Sequence, residues 1–203
     1  VVPIIQHMEG NPHLDTPVVC AYRERIGVNG SGKADLPRRI LVFTNLLPPQ
    51  EMGGYGRTVW ELCDGLLKRG HTVRILTADM PRYAKTPEPG WERLEKHVDR
   101  CLRLYGDWDQ GAARLLEDTE QIATVIRHNH HAILREVDRF APDACMAGNL
   151  DFVGAGFIDP ILEKGIPVVH RLGNARPGYP AENTPKSPLY CLAGASHWIN
   201  QQL

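Results

Sequence analysis

At 203 residues, the chain is long enough for one domain with a well-buried core. Its 23 basic and 24 acidic residues nearly cancel, which argues against a nucleic-acid or polyanion site, and it has no apolar run of the ~20 residues that a membrane span needs. The five cysteines are too widely spaced for a four-cysteine zinc site or a Cys-x-x-Cys redox pair, and this pattern favours a reducing, cytoplasmic compartment.

The first 38 residues differ from the rest of the chain, because prolines and a glycine-rich stretch interrupt them and no hydrophobic period is sustained. We interpret residues 1–38 as an irregular leader or linker. The stretch from Gly27 to Lys33 superficially matches a phosphate-binding P-loop. However, Ala34 stands where that motif needs a serine or threonine for magnesium, and no core strand precedes it. A solvated linker is the better interpretation.

From Arg39 onward, short β-rich runs alternate with helical ones. Strands are predicted over 40–44, 72–78, 100–105, 143–147, 167–172 and 190–195. Helices are predicted over 55–69, through a long region that ends near Phe140, over about 152–163, and from near Ser196, with a loop and a short helix over 79–98. This alternation predicts an α/β, Rossmann-like domain over 39–203, with a doubly wound, mostly parallel sheet.

Ligands of such sheets bind beyond the carboxyl ends of the strands, so the loop after the first strand is the richest candidate. Gly53 and Gly54 stand there, directly before a predicted helix. Paired glycines let the backbone approach an anion closely, and the unpaired N–H groups and dipole of the helix favour phosphate. The pattern therefore indicates a phosphate-binding loop, with a plain turn as the alternative.

A dinucleotide-binding fingerprint is the main competing interpretation of these glycines. Gly54 and Gly56 precede a helix, and Asp79 follows the second strand. However, Val59 occupies the place of the third glycine, and the glycines begin nine residues after Thr44 instead of directly off the strand. A dinucleotide-dependent oxidoreductase is therefore the less favoured alternative.

Polar side chains also follow the later strands. Asn149 comes after the fourth predicted strand, and His170 and Asn174 straddle the end of the fifth. We expect them to converge on the ligand edge, although the two asparagines are equally compatible with ordinary turns. His128 and His131 invite a metal interpretation, but no acidic ligand accompanies them, and Asn129 and His130 are predicted to form a hydrogen-bonded polar pair against the core.

Several segments in order resemble family 4 glycosyltransferases of the GT-B fold. The stretch from Arg39 to Thr77 has that family's opening strand, Pro-Pro loop ending in Gly-Gly, helix, and Lys-Arg-Gly-His turn before a strand. Phe140 to Asp143, Lys164 to Val169 and the final AGASHWINQQL segment are also similar to it. The resemblance covers about residues 39–203.

The resemblance implies that 39–203 is the N-terminal, acceptor-side domain of a retaining, metal-independent and cofactor-free glycosyltransferase, whose C-terminal donor domain lies outside this sequence. Such enzymes transfer a sugar from a nucleotide-sugar to a glycan, lipid or small-molecule acceptor in glycan biosynthesis, and some associate peripherally with membranes. Gly53 and Gly54 would bind the donor diphosphate. The implied acceptor-binding residues are Asn45, Tyr55, Arg57, Asn149, His170 and Asn174, with His170 also the catalytic candidate.

A non-catalytic ligand-binding domain of the same fold is the alternative to an enzyme. The family often carries a histidine where this sequence has Gly173, and the nearest histidine here is His170. Turnover of a nucleotide-sugar distinguishes the two functions.

Overall fold

The computed structural model describes residues 38–109 and 112–171, without the side chains of 109–113. The predicted linker up to residue 37, Asn174, the predicted strand 190–195 and the helix from Ser196 lie outside these residues. The elements in chain order are β1 (Arg39–Phe43), α1 (Tyr55–Lys68), β2 (Thr72–Ala78), 3-10 helices over Pro81–Tyr83 and Trp91–His97, β3 (Val98–Leu102), β4 (Gly106–Asp109), β5 (Ala112–Leu115), α2 (Thr119–Phe140), β6 (Ala144–Ala147), α3 (Ile158–Glu163) and β7 (Val168–His170).

Five strands form one parallel sheet in the order β3-β2-β1-β6-β7. The predicted α/β, Rossmann-like fold is thereby confirmed. The chain builds outward from β1 to β3 and then crosses back through α2 to β6 on the other side of β1. The direction of winding therefore reverses between β1 and β6, and a doubly wound sheet binds its ligand at the carboxyl end of such a switch point.

The central strands β1, β2 and β6 are largely buried on both faces, as the continuous apolar run of β1 predicts. Because side chains alternate along a strand, Leu41 and Phe43 pack toward α2 and α3, whereas Val42 packs toward α1. The Phe43 and Phe157 rings meet edge to face, with centroids 4.8 Å apart. A fully buried side chain of this size contributes about 1.5–3 kcal/mol, so these two layers hold the carboxyl edge of the sheet rigidly in place.

The cysteines of the described residues are packing groups. Cys63 and Cys145 are buried in the two core layers, and burial raises the pKa of each thiol to about 12. Burial also raises the pKa of Cys101 to about 11. These thiols therefore stay protonated near neutral pH and behave as small hydrophobic side chains.

Three elements differ from the prediction. The third strand begins at Val98 and not at residue 100, because β3 pairs with β2 through the polar Asp99, whose carboxylate lies 3.1 Å from the Arg74 guanidinium. The helix predicted over 152–163 is limited to α3, since Phe152 (φ 62°) and Gly154 (φ 92°) have left-handed backbone conformations that a right-handed helix excludes. The antiparallel hairpin of β4 and β5 was not predicted at all.

Candidate functional site

The loops after β1 and β6 meet at the switch point. The Asn45 backbone N–H donates to the Asn149 carbonyl at 2.6 Å, and the Gly148 N–H donates to the Phe43 carbonyl at 2.8 Å. A Cβ at Gly148 would lie 2.7 Å from Thr44 Oγ1, closer than real contacts allow. Because residue 148 is glycine, its backbone can lie directly against the Thr44 side chain at the predicted ligand edge.

Asn45 is buried and organises the loop that it begins. Its side-chain oxygen accepts from the Leu46 N–H at 2.7 Å, and its carbonyl accepts from Ala78 N–H at 3.1 Å and Thr77 Oγ1 at 3.2 Å. These contacts join the ends of β1 and β2. The structure thus places Asn45 at the predicted edge, with its side-chain oxygen bonded to the loop backbone.

Gly53 and Gly54 lie at the N-terminus of α1. Gly53 has φ 69°, a left-handed conformation that favours glycine, and Gly54 is the N-cap residue. No side chain caps the helix and no acidic residue stands in its first turn, so the first backbone N–H groups keep their capacity for an anion. A Cβ at either glycine would meet no described atom within 4 Å. Both glycines therefore face open space.

Gly56 has a different role from its two neighbours. A Cβ there would lie 2.9 Å from the Leu46 carbonyl oxygen, so the first turn of α1 packs directly on the loop backbone. The spacing of Gly54 and Gly56, which resembles a dinucleotide fingerprint, thus reflects one glycine at an open helix end and one at a packing contact.

The loop between β1 and α1 is held by the segment after β2. Gln50 Nε2 donates to Asp79 Oδ1 at 2.7 Å, and the Lys85 N–H donates to the Pro49 carbonyl at 2.8 Å. From β3, the Arg100 guanidinium donates to the Leu47 and Pro48 carbonyls at 3.2 and 2.9 Å. These contacts therefore hold the loop that carries Gly53 and Gly54 in place without a ligand.

Arg57 joins this support. Its guanidinium pairs with Glu51 at 3.1 Å and with Glu88 at 2.6 Å, and it lies 5.4 Å from the centre of the Trp91 ring. Hydrogen bonds to Glu51 and then Glu88 raise the pKa of Arg57 above its usual range. Because Glu51 is buried, we infer that Arg57 neutralises its carboxylate. The structure does not show Arg57 beside Asn149 or His170, two of the other predicted acceptor-binding residues.

The end of β7 adds the side chains of His170 and Arg171 to the same edge. His170 Nε2 lies 3.0 Å from the Gly148 carbonyl oxygen, and the Arg171 N–H donates to the Ala147 carbonyl at 2.8 Å. The Arg171 guanidinium lies 5.2 Å from the centre of the Tyr55 ring, the first residue of α1. The structure thus brings together Asn45, Asn149, His170, Tyr55 and the two glycines, with Arg171 as a cation that the sequence analysis did not select.

Asn149 and Asp151 form a tight turn beyond β6. Asn149 Nδ2 donates to Asp151 Oδ2 at 3.0 Å, and the Asp151 N–H donates to Asn149 Oδ1 at 2.9 Å. Burial raises the pKa of Asp151 above its usual range, and the hydrogen bond from Asn149 opposes this in part. The Asn149 side chain is thus used in the turn, and Asp151 is a half-buried acid at the predicted ligand edge.

We expect Asp151→Asn to stabilise the domain near neutral pH. Because the folded-state pKa is raised, the contribution of this carboxyl group to stability is complete below its unfolded pKa and is lost as pH rises through the folded pKa. Asparagine keeps an oxygen for Asn149 without the charge. Thermal melts at about pH 7 and about pH 4 should therefore show a gain at the higher pH that shrinks at the lower. The same change at exposed Glu117, to glutamine, should not reproduce this pattern.

His128 and its neighbour Asn129 on α2 are bonded to backbone groups. His128 Nε2 lies 2.8 Å from the Cys101 carbonyl oxygen. Asn129 is fully buried and bonds the Arg103 N–H and carbonyl at 2.8 Å each and the Val153 carbonyl at 2.9 Å. The predicted hydrogen-bonded pair of Asn129 and His130 against the core is confirmed for Asn129 only, and for the half-buried His130 it stays a prediction. No group of three or more metal-ligating side chains occurs within 38–109 and 112–171.

Two surface clefts lie apart from the switch point. One, of about 350 Å³, is lined by Arg82, Tyr83, Asp107, Trp108 and Arg114. The other, of about 490 Å³, lies along α2 and is lined by His128, His131, Ala132, Leu134, Arg135 and Asp138. Neither includes a residue that the sequence analysis selected for binding. In the described part of the chain, no helix combines the length and the apolar character needed to cross a bilayer.

The fold and this edge define a Rossmann-like α/β domain with an open, glycine-bearing helix N-terminus at its switch point. No protein-family model and no curated protein matches the sequence.

Proposed function

We propose that this domain is the N-terminal, acceptor-side half of a cytoplasmic, retaining glycosyltransferase that binds the diphosphate of a nucleotide-sugar at Gly53 and Gly54. The observation that carries the proposal is the uncapped N-terminus of α1, which opens at the switch point with no described atom within 4 Å of either glycine's Cβ position. The resemblance of residues 39–203 to family 4 glycosyltransferases supports the same assignment.

The chemistry of this edge suits a diphosphate leaving group. Backbone N–H groups and the positive end of the α1 dipole stabilise negative charge, and donors fixed in advance need no reorganisation as that charge develops. Arg171 adds a guanidinium beside Tyr55, one residue from Gly54. We therefore propose stabilisation by backbone amides and Arg171, without a metal ion.

His170 is the proposed acceptor-side base or positioning group. Because a carbonyl oxygen only accepts hydrogen bonds, the contact of His170 Nε2 with the Gly148 carbonyl requires the proton on Nε2. In the neutral ring, the basic lone pair is then on Nδ1. This tautomer suits a group that accepts a hydrogen bond from an acceptor hydroxyl.

A non-catalytic binding domain is the second candidate. The observation that favours it is that the side chains of Asn45, Arg57 and Asn149, three of the proposed acceptor residues, are engaged in contacts that build the loops. In that case the same edge binds a nucleotide-sugar without turnover.

The test uses Gly54→Leu. Gly54 has φ −94° and open space at its Cβ position, so the variant should fold with near-native stability while its side chain obstructs the anion. We expect uridine diphosphate to shift the backbone amide resonances of residues 53–57 in the wild-type chain, and the dissociation constant to rise at least tenfold in Gly54→Leu. Gly65→Ala, at an open position inside α1, is the matched control and should bind like wild type.

Binding alone does not separate the two candidates, so the second arm measures turnover. A polypeptide carrying this domain with a donor-binding half is incubated with a panel of nucleotide-sugars and acceptors in EDTA. Release of nucleotide from one donor, lost in Gly54→Leu, supports the transferase. Equal diphosphate binding by Gly54→Leu and wild type contradicts the proposed site, and binding without turnover of any donor favours the non-catalytic domain.

A further inference from the structure

Three polar side chains at the carboxyl ends of β1, β2 and β6 each have one atom without a partner among the described residues: Asn45, Asp79 and Asp151. We propose that these atoms bind the hydroxyl groups of an uncharged sugar, and that this sugar is the acceptor substrate. The assignment as acceptor rests on the proposed glycosyltransferase function, whereas the assignment as a sugar site rests on the contacts of these three residues.

Asn45 supplies a hydrogen-bond donor. The residue is only 5% exposed, and its Oδ1 accepts from the Leu46 N–H at 2.7 Å, which fixes the orientation of the amide. In the described part of the chain, Nδ2 has no hydrogen-bond partner, yet this atom remains accessible to solvent. A nearly buried amide with one accessible, unpaired donor is suited to hold a ligand oxygen at a fixed position.

Asp79, directly after β2, supplies an oriented acceptor. Gln50 is buried, and its Nε2 donates to Asp79 Oδ1 at 2.7 Å while its Oε1 accepts from the Met80 N–H. Asp79 itself is exposed, and its Oδ2 has no partner within 38–109 and 112–171. Gln50 thus holds the carboxylate in one orientation, with its second oxygen available to a sugar hydroxyl.

Asp151, in the turn after β6, is arranged in the same way. Asn149 Nδ2 donates to Asp151 Oδ2 at 3.0 Å, whereas Oδ1 has no partner among the described residues and stays accessible. A side-chain amide therefore holds each of the two carboxylates by one oxygen. Hydrogen bonds to an ionised carboxylate are about twice as strong as those between neutral groups, so the remaining oxygens favour hydroxyl donors.

The backbone of Asn45 places the two carboxylates on either side of it. Its N–H donates to the Asn149 carbonyl at 2.6 Å, and its carbonyl accepts from the Ala78 N–H at 3.1 Å. Asp79 follows Ala78 directly, and Asp151 follows Asn149 by two residues. Since neighbouring strands are about 4.8 Å apart, β2 and β6 flank β1 at a separation of about 10 Å. A hexose with hydrogen bonds of about 2.8 Å at either end spans a similar distance.

The charges of this site favour an uncharged sugar. A ligand carboxylate or phosphate between two aspartates would meet like charges, which lowers its affinity. Arg171, by contrast, lies against Tyr55 at the start of α1, beside the proposed diphosphate site. Arg57 and Lys85, in and beside the glycine loop, are paired with buried Glu51. Positive charge therefore lies where we propose the donor diphosphate, and negative charge where we propose the acceptor hydroxyls.

The test is an NMR titration of the full 203-residue chain that follows the side-chain amide resonances of Asn45. The probes are glucose, galactose and mannose, each compared with its uronic acid. We expect at least one hexose to shift these resonances saturably. Its dissociation constant should be at least about tenfold lower than that of the matching uronic acid, because only the latter brings a like charge to the aspartates.

Asp79→Asn and Asp151→Asn test the two carboxylates separately. Each asparagine keeps an oxygen for the neighbouring amide, Gln50 or Asn149, so both variants should fold. A neutral amide oxygen is a weaker acceptor than a carboxylate, so each variant should raise the dissociation constant for the hexose about tenfold. Each should also narrow the difference between the hexose and its uronic acid, which a merely structural role of the aspartate would not do.

Asp138→Asn is the matched control, because Asp138 is also exposed and is held through one oxygen, by Lys164 Nζ at 2.9 Å, near the end of α2. It should bind like wild type. The proposal is overturned if no hexose gives a saturable shift at Asn45 or if the uronic acids bind as tightly as the hexoses. It is also overturned if neither Asp79→Asn nor Asp151→Asn weakens binding more than Asp138→Asn does.

The same spectra separate this proposal from the proposed function. Uridine diphosphate reports on the backbone amides of Gly53 and Gly54, and the hexoses report on the Asn45 side chain. A hexose response at Asn45 with no diphosphate response at the glycines supports the sugar site and contradicts the transferase. The reverse result supports the diphosphate site and contradicts the sugar site.

Discussion

Replacing Asn129 with leucine should destabilise the domain by about 3 kcal/mol, the largest effect that we expect from a single side chain outside the apolar core. Asn129 is fully buried, and its amide holds the backbone N–H and carbonyl of Arg103 and the carbonyl of buried Val153. Leucine fills a similar volume but leaves these backbone groups without their partner. Denaturant unfolding, followed by circular dichroism, measures the difference.

His131→Leu is the control for that experiment. It introduces the same side chain two residues along α2, at an exposed position, where we expect a change within about 0.5 kcal/mol. A similar small effect of both substitutions would show that Asn129 does not join α2 to the loops after β3 and β6.

Replacing Gly148 with alanine should cost about 1–3 kcal/mol, and valine more, because the position is fully packed. The added Cβ would lie 2.7 Å from Thr44 Oγ1 and 2.9 Å from Val59 Cγ2, and both of those residues are buried. The loop after β6 must then move away from β1, which separates Asn45 from Asn149. We therefore expect both the unfolding midpoint and the affinity for uridine diphosphate to fall.

Gly65→Ala is the control for Gly148→Ala, because it adds the same methyl group at a position with open space. A Cβ at Gly65 meets no atom within 4 Å, and alanine is preferred to glycine inside a helix, so this variant should gain about 0.5–1 kcal/mol. Equal stabilities of Gly148→Ala and Gly65→Ala would contradict the close packing at the switch point.

The elements that were predicted well share a strong local signal. β1 is an almost continuous apolar run, and α1 ends before Gly70, which has φ 86° as a helix-terminating glycine requires. The hairpin of β4 and β5 lacks this signal, because Asp107 and Arg114 make it polar.

For the candidate site, the sequence predicts only those neighbouring residues whose proximity follows from the order of the strands. Parallel topology places the residues after β1 and β6 together, so the sequence was enough to predict that Asn45 and Asn149 lie side by side. The pairing of Arg57 with Glu88 could not be predicted from the sequence, because it depends on how the segment after β2 folds back. Arg171 was missed for the same reason, because its contact with Tyr55 joins two elements far apart in the chain.

The reversal of winding at β1 also has a consequence for folding kinetics. β1, α1 and β2 form a local unit, whereas β1 meets β6 only after a long excursion of the chain, as the bond from the Arg39 N–H to the Asp143 carboxylate spans 104 residues. Contacts of such separation are slow to form because loop closure precedes any gain from them. We therefore expect the carboxyl edge of the sheet to be completed late in folding. A half-folded chain would have the loop that carries Gly53 and Gly54, but β6 would not yet be paired with β1.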